Sequence, residues 1–291
     1  KTVGNQITKE VLHILRGGDM PEGWNDTLIV LIPKNTKPMS LKDLRPISLC
    51  NVVYKVVSKA ITNRLKEILP HIVSPNQSAF VPGRLISDNI LLAYELTHFL
   101  QRKRRGPVGY AAIKLDMSKA YDRVEWKFLE DMMKRLGFDR NWIRLIMKCV
   151  STVKYQIKVN QDTTDMITPQ RGLRQGDPLS PYLFVICAEG FSSMLYEAEM
   201  RRSLKGIKVC RGAPSVSHLF FADDSLLLLE ANAESAREIS RILNLYEAAS
   251  GQVINKDKSS ILFSANTRQG LKEKMKSIMQ VTSQGLSPRY L

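Results

Sequence analysis

Residues 220–229 read Phe220-Phe221-Ala222-Asp223-Asp224-Ser225-Leu226-Leu227-Leu228-Leu229. Two apolar arms flank two adjacent carboxylates, a pattern that predicts two strands meeting at a tight acidic turn. Successive side chains of an extended strand point to opposite faces, so only a turn can bring both carboxyls to one site. Like charges held close between buried arms repel strongly. A divalent cation relieves that repulsion, and Mg²⁺ favours carboxylate oxygens together with substrate phosphates. A bare Asp-Asp pair reads as a solvent-facing hairpin turn; the apolar flanks argue against that here.

Working outward, Tyr110 to Leu115 reads as a strand that delivers Asp116 at its end. Taken alone, Asp116 is a helix cap or a turn residue. Beside the 220–229 hairpin it becomes the third carboxylate of a two-metal site, in which ions about 3.5–4 Å apart stabilise attacking and leaving oxygens of a phosphoryl transfer. Asp116, Asp223 and Asp224 are therefore the candidate catalytic and metal-binding residues. The stretch Arg171-Gly172-Leu173-Arg174-Gln175-Gly176-Asp177-Pro178-Leu179-Ser180-Pro181 has glycines that permit close backbone approach and prolines that stiffen entry to a helix. Such a loop can hold a base pair or a sugar, although without context it is only a Gly-Pro turn. Lys34 and Arg45 lie in an N-terminal region that could fold over phosphates, Arg as a bidentate partner and Lys as a point charge.

Charge points the same way. The 291 residues carry 43 Lys and Arg against 28 Asp and Glu, a net +15. That balance predicts a polyanionic partner, nucleic acid before a membrane surface. No apolar run approaches the ~20 residues that cross a bilayer. The basic run Arg102 to Arg105 reads as a solvated turn able to track a nucleic-acid backbone without specificity. Cys50, Cys149, Cys187 and Cys210 share no C-x-x-C spacing, which argues against a disulfide framework or a zinc site and suits a reducing compartment. His13, His71, His98 and His218 are isolated in sequence and receive no catalytic assignment. The chain opens Lys1-Thr2-Val3-Gly4 and stops at Arg289-Tyr290-Leu291, and we expect it to be a piece of something longer.

Periodicity predicts a strand over 27–33 closed by Pro33, a helix over 52–69 stopped by Pro70, and a helix over 88–100 capped by Asp88. Helices follow at 124–136 and 141–150, then half a hairpin at 154–159. A helix over 178–197 is introduced by Pro178, another over 233–249 ends at Gly251, and a strand lies near 259–263. Helices on one face of a mostly antiparallel sheet make an α+β domain.

Six motifs stand in one order: Leu31-Ile32-Pro33-Lys34, Asp43-Leu44-Arg45-Pro46-Ile47-Ser48-Leu49, Gln77-Ser78-Ala79-Phe80-Val81-Pro82-Gly83-Arg84, Lys114-Leu115-Asp116-Met117-Ser118-Lys119-Ala120-Tyr121-Asp122, Arg174-Gln175-Gly176-Asp177-Pro178-Leu179-Ser180-Pro181 and Phe221-Ala222-Asp223-Asp224. Together they resemble the reverse transcriptase of non-LTR (LINE-type) retrotransposons, plant elements in particular, over essentially the whole chain.

The resemblance implies a right-hand polymerase fold, with an antiparallel palm sheet bearing helices on one face. Fingers would cover approximately 1–109 and 150–170, palm 110–149 and 171–265, and 266–291 would lead into a primer grip, with the thumb missing. It implies RNA-directed DNA synthesis from dNTPs onto a DNA primer 3′-OH along an RNA template, with two Mg²⁺ ions or Mn²⁺ in their place. By position, Asp116, Asp223 and Asp224 match the metal-binding aspartates and Tyr121 the aromatic gate against a ribose 2′-OH. Arg45, with Lys34 as helper, matches a contact to the triphosphate, and Gln175 and Gly176 the loop beside the nascent base pair. Gly251, Asn255 and Lys258 resemble the motif after the catalytic hairpin, whose lysine would protonate pyrophosphate; read alone, Lys258 is a solvated strand-edge residue. Asn160-Gln161 stands where the family often carries Asn-Gly. A linked endonuclease and thumb are expected in the full-length protein, no membrane is implied, and the compartments would be nucleus and cytoplasm. Two alternatives stay open: an intron maturase or telomerase-like polymerase, and a catalytically inert RNA-binding remnant.

Overall fold

The structure, a computed structural model, describes residues 2–285, so the primer-grip expectation at Tyr290-Leu291 lies outside the described residues. In chain order, α1 (Thr2–Leu15) precedes β1 (Asp26–Pro33), β2 (Leu44–Cys50), α2 (Val52–Ile72) and α3 (Ile86–Arg102). Then come β3 (Tyr110–Leu115), α4 (Trp126–Arg135), α5 (Arg140–Ser151), β4 (Lys154–Val159), β5 (Asp162–Thr163) and α6 (Ser180–Met200). The hairpin β6 (His218–Phe221) and β7 (Asp224–Glu230) leads to α7 (Ala233–Ser250), β8 (Ser260–Phe263), α8 (Gln269–Met279) and β9 (Ser283–Gln284).

The chain forms two compact units, each built from two stretches: residues 1–69 with 121–186, and residues 70–120 with 187–291. The first holds a four-stranded sheet in the order β2-β1-β4-β5. β1 pairs antiparallel with β2 and parallel with β4. The predicted half-hairpin at 154–159 is β4, which turns through Asn160-Gln161 into β5. Asn160 takes φ 56°, a left-handed conformation that asparagine tolerates better than most residues.

The second unit holds a five-stranded sheet, β6-β7-β3-β8-β9, antiparallel except for its last pair. β3 is its middle strand, and Ala111, Ala112, Ile113 and Leu115 are fully buried. Ala93, Leu96 and Leu100 of α3 pack onto Ala112, Leu219 and Leu228 of this sheet. Phe191 of α6 stacks on Phe220 and on Tyr246 of α7, tying both helices to the hairpin. The α+β architecture with antiparallel strands is thus the expected one.

Several local expectations need correcting. Pro70 does not stop α2, which runs on to Ile72 with the proline in its last turn, where little helix remains to be disrupted. Asp88 does not cap α3; the helix begins earlier, Leu85 is the N-cap without a side-chain bond, and Asp88 sits in the first turn where its charge complements the helix dipole. Pro178 lies ahead of α6, and Pro181 is the proline inside its first turn. Gly251 does end α7, in the left-handed conformation at φ 75°.

Candidate active site

Three strand ends build the acidic centre, all in the second unit. The β3–β7 register pairs Leu115 with Ser225, and one further step sets Asp116 opposite Asp224. The hairpin turn comprises Ala222 and Asp223, because β6 ends at Phe221 and β7 begins at Asp224. The turn is therefore Ala-Asp rather than Asp-Asp, and Asp224 is the first strand residue. The arms are buried as expected, but both Asp223 and Asp224 are exposed, and Asp116 is half-buried.

The electrostatics show three carboxylates within reach of one another. Desolvation pushes the Asp223 carboxyl above its ordinary value, with the Asp224 and Asp116 charges adding to the shift. Desolvation likewise raises Asp116; Lys258 opposes it, Asp224 reinforces it, and Lys114 and an Asn255 hydrogen bond oppose it. Lys114, two residues before Asp116 on β3, places its Nζ 3.7 Å from Asp224 Oδ1. Among the described residues no three His, Cys, Asp or Glu side chains are gathered into a ready metal cage. The donor chemistry nonetheless fits a hard divalent ion. Carboxylates reluctant to ionise beside one another are what such an ion stabilises, and Mg²⁺ completes its shell with water and phosphate oxygens.

The segment after α7 wraps the residues that follow β3. Asn255 N–H donates to Asp116 O at 2.8 Å, Ser118 N–H to Val253 O at 2.8 Å, and Asp116 N–H to Ser259 Oγ at 3.2 Å. The buried Gln252 donates its amide to Ala120 O at 2.8 Å. Asn255 is thereby brought beside Asp116, and the charge of the exposed Lys258 reaches the same carboxylate.

The other candidate residues belong to the first unit. Arg45 on β2 is paired with Ile32 on β1, and Lys34 follows directly after β1. Both are exposed, and Lys34 Nζ donates to Lys42 O at 2.8 Å. Gln175 accepts the Ser48 N–H of β2 at 2.8 Å. At Gly176, φ is 111° and a Cβ would sit 3.1 Å from Ser48 O, so the 172–177 loop lies flush on β2 only as glycine. Gly172, at φ 94°, leaves no room at all: a Cβ would meet Asp122 O at 2.8 Å. Tyr121 stacks on Phe184 with ring centroids 5.0 Å apart, and its carbonyl accepts the Leu173 N–H at 2.8 Å.

A buried ionic network underneath this loop had no signal beyond the motif letters. Arg174 and Asp177 form an ion pair at 2.8 Å with both side chains 3% exposed. Arg174 also donates to Asn25 Oδ1 at 2.6 Å and Cys149 O at 3.0 Å, and its guanidinium lies 4.0 Å over the Tyr54 ring. Tyr54 Oη donates to Asp177 Oδ2 at 2.7 Å, and burial pushes that hydroxyl well above its ordinary value, so it stays a donor. Asp177 Oδ1 accepts the Leu179 N–H at 3.0 Å, fixing the chain ahead of α6. An alternating polar string in a Gly-Pro loop looks solvated in sequence; here it is interior.

Among the described residues no helix is long and apolar enough to cross a membrane. Residues 32–284 match the sequence profile of the family described as reverse transcriptase (RNA-dependent DNA polymerase). The chain is 31% identical over 269 residues to the transposon TX1 149 kDa protein of Xenopus laevis, covering 92% of this chain and 20% of that protein. It is also 31% identical over 229 residues to the retrovirus-related Pol polyprotein from a type-1 retrotransposable element R2 of Nasonia vitripennis, covering 79% of this chain and 21% of that one. The chain thus spans about a fifth of the length of these relatives. Among solved structures, telomerase from Candida tropicalis superposes with a TM-score of 0.57 at 13% identity, over 90% of this chain and 45% of that one. At that identity the likeness is one of fold.

Proposed function

The chain belongs to the reverse transcriptase (RNA-dependent DNA polymerase) family, and from that membership we propose that it catalyses RNA-templated DNA synthesis from dNTPs. The resemblance to non-LTR retrotransposon enzymes accords with its TX1 and R2 relatives. The observation that carries the reading is the convergence of Asp116, Asp223 and Asp224 at one end of the five-stranded sheet.

In this reading a primer 3′-OH attacks the α-phosphate of a bound dNTP and pyrophosphate leaves. The three aspartates would hold divalent ions, Mg²⁺ or Mn²⁺ in its place, which when bound neutralise charge on the attacking and leaving oxygens. Lys114, with its Nζ 3.7 Å from Asp224 Oδ1, would share in balancing the negative charge of the centre. Lys258, whose charge already reaches Asp116, would hold a proton for the leaving pyrophosphate. Arg45 would contact the triphosphate with Lys34 as helper, and Tyr121, its ring held by Phe184, would exclude a ribose 2′-OH. Gln175 and Gly176 would present backbone to the nascent base pair. Fingers are then approximately 1–109 and 150–170, and palm 110–149 and 171–265, leading at 266–291 toward a primer grip. This division by role is cut differently from the two compact units. RNA template, DNA primer, a linked endonuclease and a thumb complete the proposed set of partners.

Asp223→Asn tests the core of it. Primer extension on an RNA template with Mg²⁺ is expected to fall by at least about 10³-fold, since a carboxylate ligand is lost at the reacting centre. Near-normal extension would overturn the assignment.

A further inference from the structure

The sheet edge at β6 is covered by residues 73–89, a segment the catalytic reading leaves without a task. Phe220 N–H donates to Asn76 O at 2.8 Å, and Phe220 O accepts the Ser78 N–H at 3.1 Å and the Asn89 amide at 3.0 Å. Asn76 adds a bond from Nδ2 to His218 O at 2.7 Å. The result is a short parallel bridge, Gln77 beside Phe220. Arg84 braces the segment from behind by donating to the carbonyls of Val73, Ser74 and Gln77.

At the centre of this clamp is Gln77, 1% exposed. Its Oε1 accepts two backbone N–H groups, Ala79 at 2.9 Å and Ala222 at 3.1 Å. Both neighbours are donors, which fixes the amide orientation. Its Nε2, by contrast, is buried with no hydrogen-bond partner among the described residues. Burying half an amide without a partner costs free energy, which the two bonds to the other half help to offset. That other half holds Ala222, the turn residue at φ 53° that immediately precedes Asp223. A left-handed alanine persists only where its surroundings over-determine it. Released from Oε1, the turn is free to relax toward negative φ and swing the Asp223 carboxylate with it.

We propose that Gln77 is a positioning residue for the acidic centre, acting through the Ala222 N–H to lock the turn that aims Asp223. The inference rests on the polymerase reading of Asp223. Gln77→Leu removes the acceptor at similar size, and Gln77→Glu keeps it. Two measurements on the 291-residue chain separate positioning from mere packing: amide exchange at Ala222, and titration with Mn²⁺ alone read by electron paramagnetic resonance. In the unsubstituted chain Ala222 should exchange slowly. Gln77→Leu should lose that protection and bind Mn²⁺ about 10–100-fold more weakly, whereas Gln77→Glu should keep both. Equal Mn²⁺ binding by the unsubstituted chain and Asp223→Asn would sink the polymerase reading itself. If Asp223→Asn weakens binding while Gln77→Leu does not, or if Gln77→Glu loses as much as Gln77→Leu, the positioning role fails. Should Gln77→Leu not fold, the unsubstituted chain still decides, because fast exchange at Ala222 contradicts the clamp and slow exchange supports it.

Discussion

Ala222 holds φ at 53° so that Asp223 can occupy the second position of a two-residue turn. A non-glycine residue in that region stores about 1–3 kcal/mol, which the hydrogen bonds around β6 offset. One of those bonds comes from beneath the hairpin, where His218 is 3% exposed and placed between Ser192 Oγ, 2.7 Å from Nε2, and Ser217 Oγ, 3.0 Å from Nδ1. Burial holds the His218 imidazole down at about 4. The folded value lies below the unfolded one, so the unfolded chain binds the extra proton first. The neutral ring's contribution is complete above about pH 6.5 and is lost as pH falls toward 4, amounting to roughly 3 kcal/mol at most. His218→Gln should flatten the pH 4–6.5 limb of a urea-midpoint profile; an unchanged slope would show that His218 does not titrate there.

At the scale of elements, legibility followed burial pattern and punctuation. The 110–115 strand, the hairpin arms and the Gly251 stop were readable because each pairs a clean apolar run with a decisive neighbour. β2 is hard to read as a strand because Leu44-Arg45-Pro46-Ile47 carries a proline, and proline is tolerated in a sheet only where its absent N–H is not needed. β2 is an edge strand, which supplies that exception. α8 buries only Met275 and Met279 among polar residues, too sparse a stripe to stand out in the sequence. The acidic centre was legible from Asp116, Asp223 and Asp224, whereas Gln77 and Arg174 were not, because their partners are backbone carbonyls, amides and distant side chains. The Arg174–Asp177 pair gives a prediction at this scale. Arg174→Met strands a buried carboxylate and should destabilise by about 3–5 kcal/mol in urea unfolding, while adding Asp177→Leu should recover part of the loss. Additive effects would mean the two side chains are not coupled.

For the molecule as a whole, the net +15 charge governs partners rather than fold. A chain neutralising about three phosphates of single-stranded RNA would lose roughly twentyfold in affinity between 50 and 200 mM salt. Asp223→Asn should leave that salt slope intact while removing extension, which separates grip from chemistry; a protein in which both forms bind alike and neither extends would be an inert RNA-binding remnant. The interleaved make-up of the two units has another consequence, for synthesis. Each unit is built from two stretches separated by a stretch of the other, so the first half of each is made well before its second. The strand carrying Asp116 emerges from the ribosome before either strand that will flank it, β7 or β8, exists. Until both arrive, the buried ribbon that leads to Asp116 has only α3, already made, to pack against. Both of its hydrogen-bonding edges stay open over that interval, which makes β3 a place for mispairing in the nascent chain.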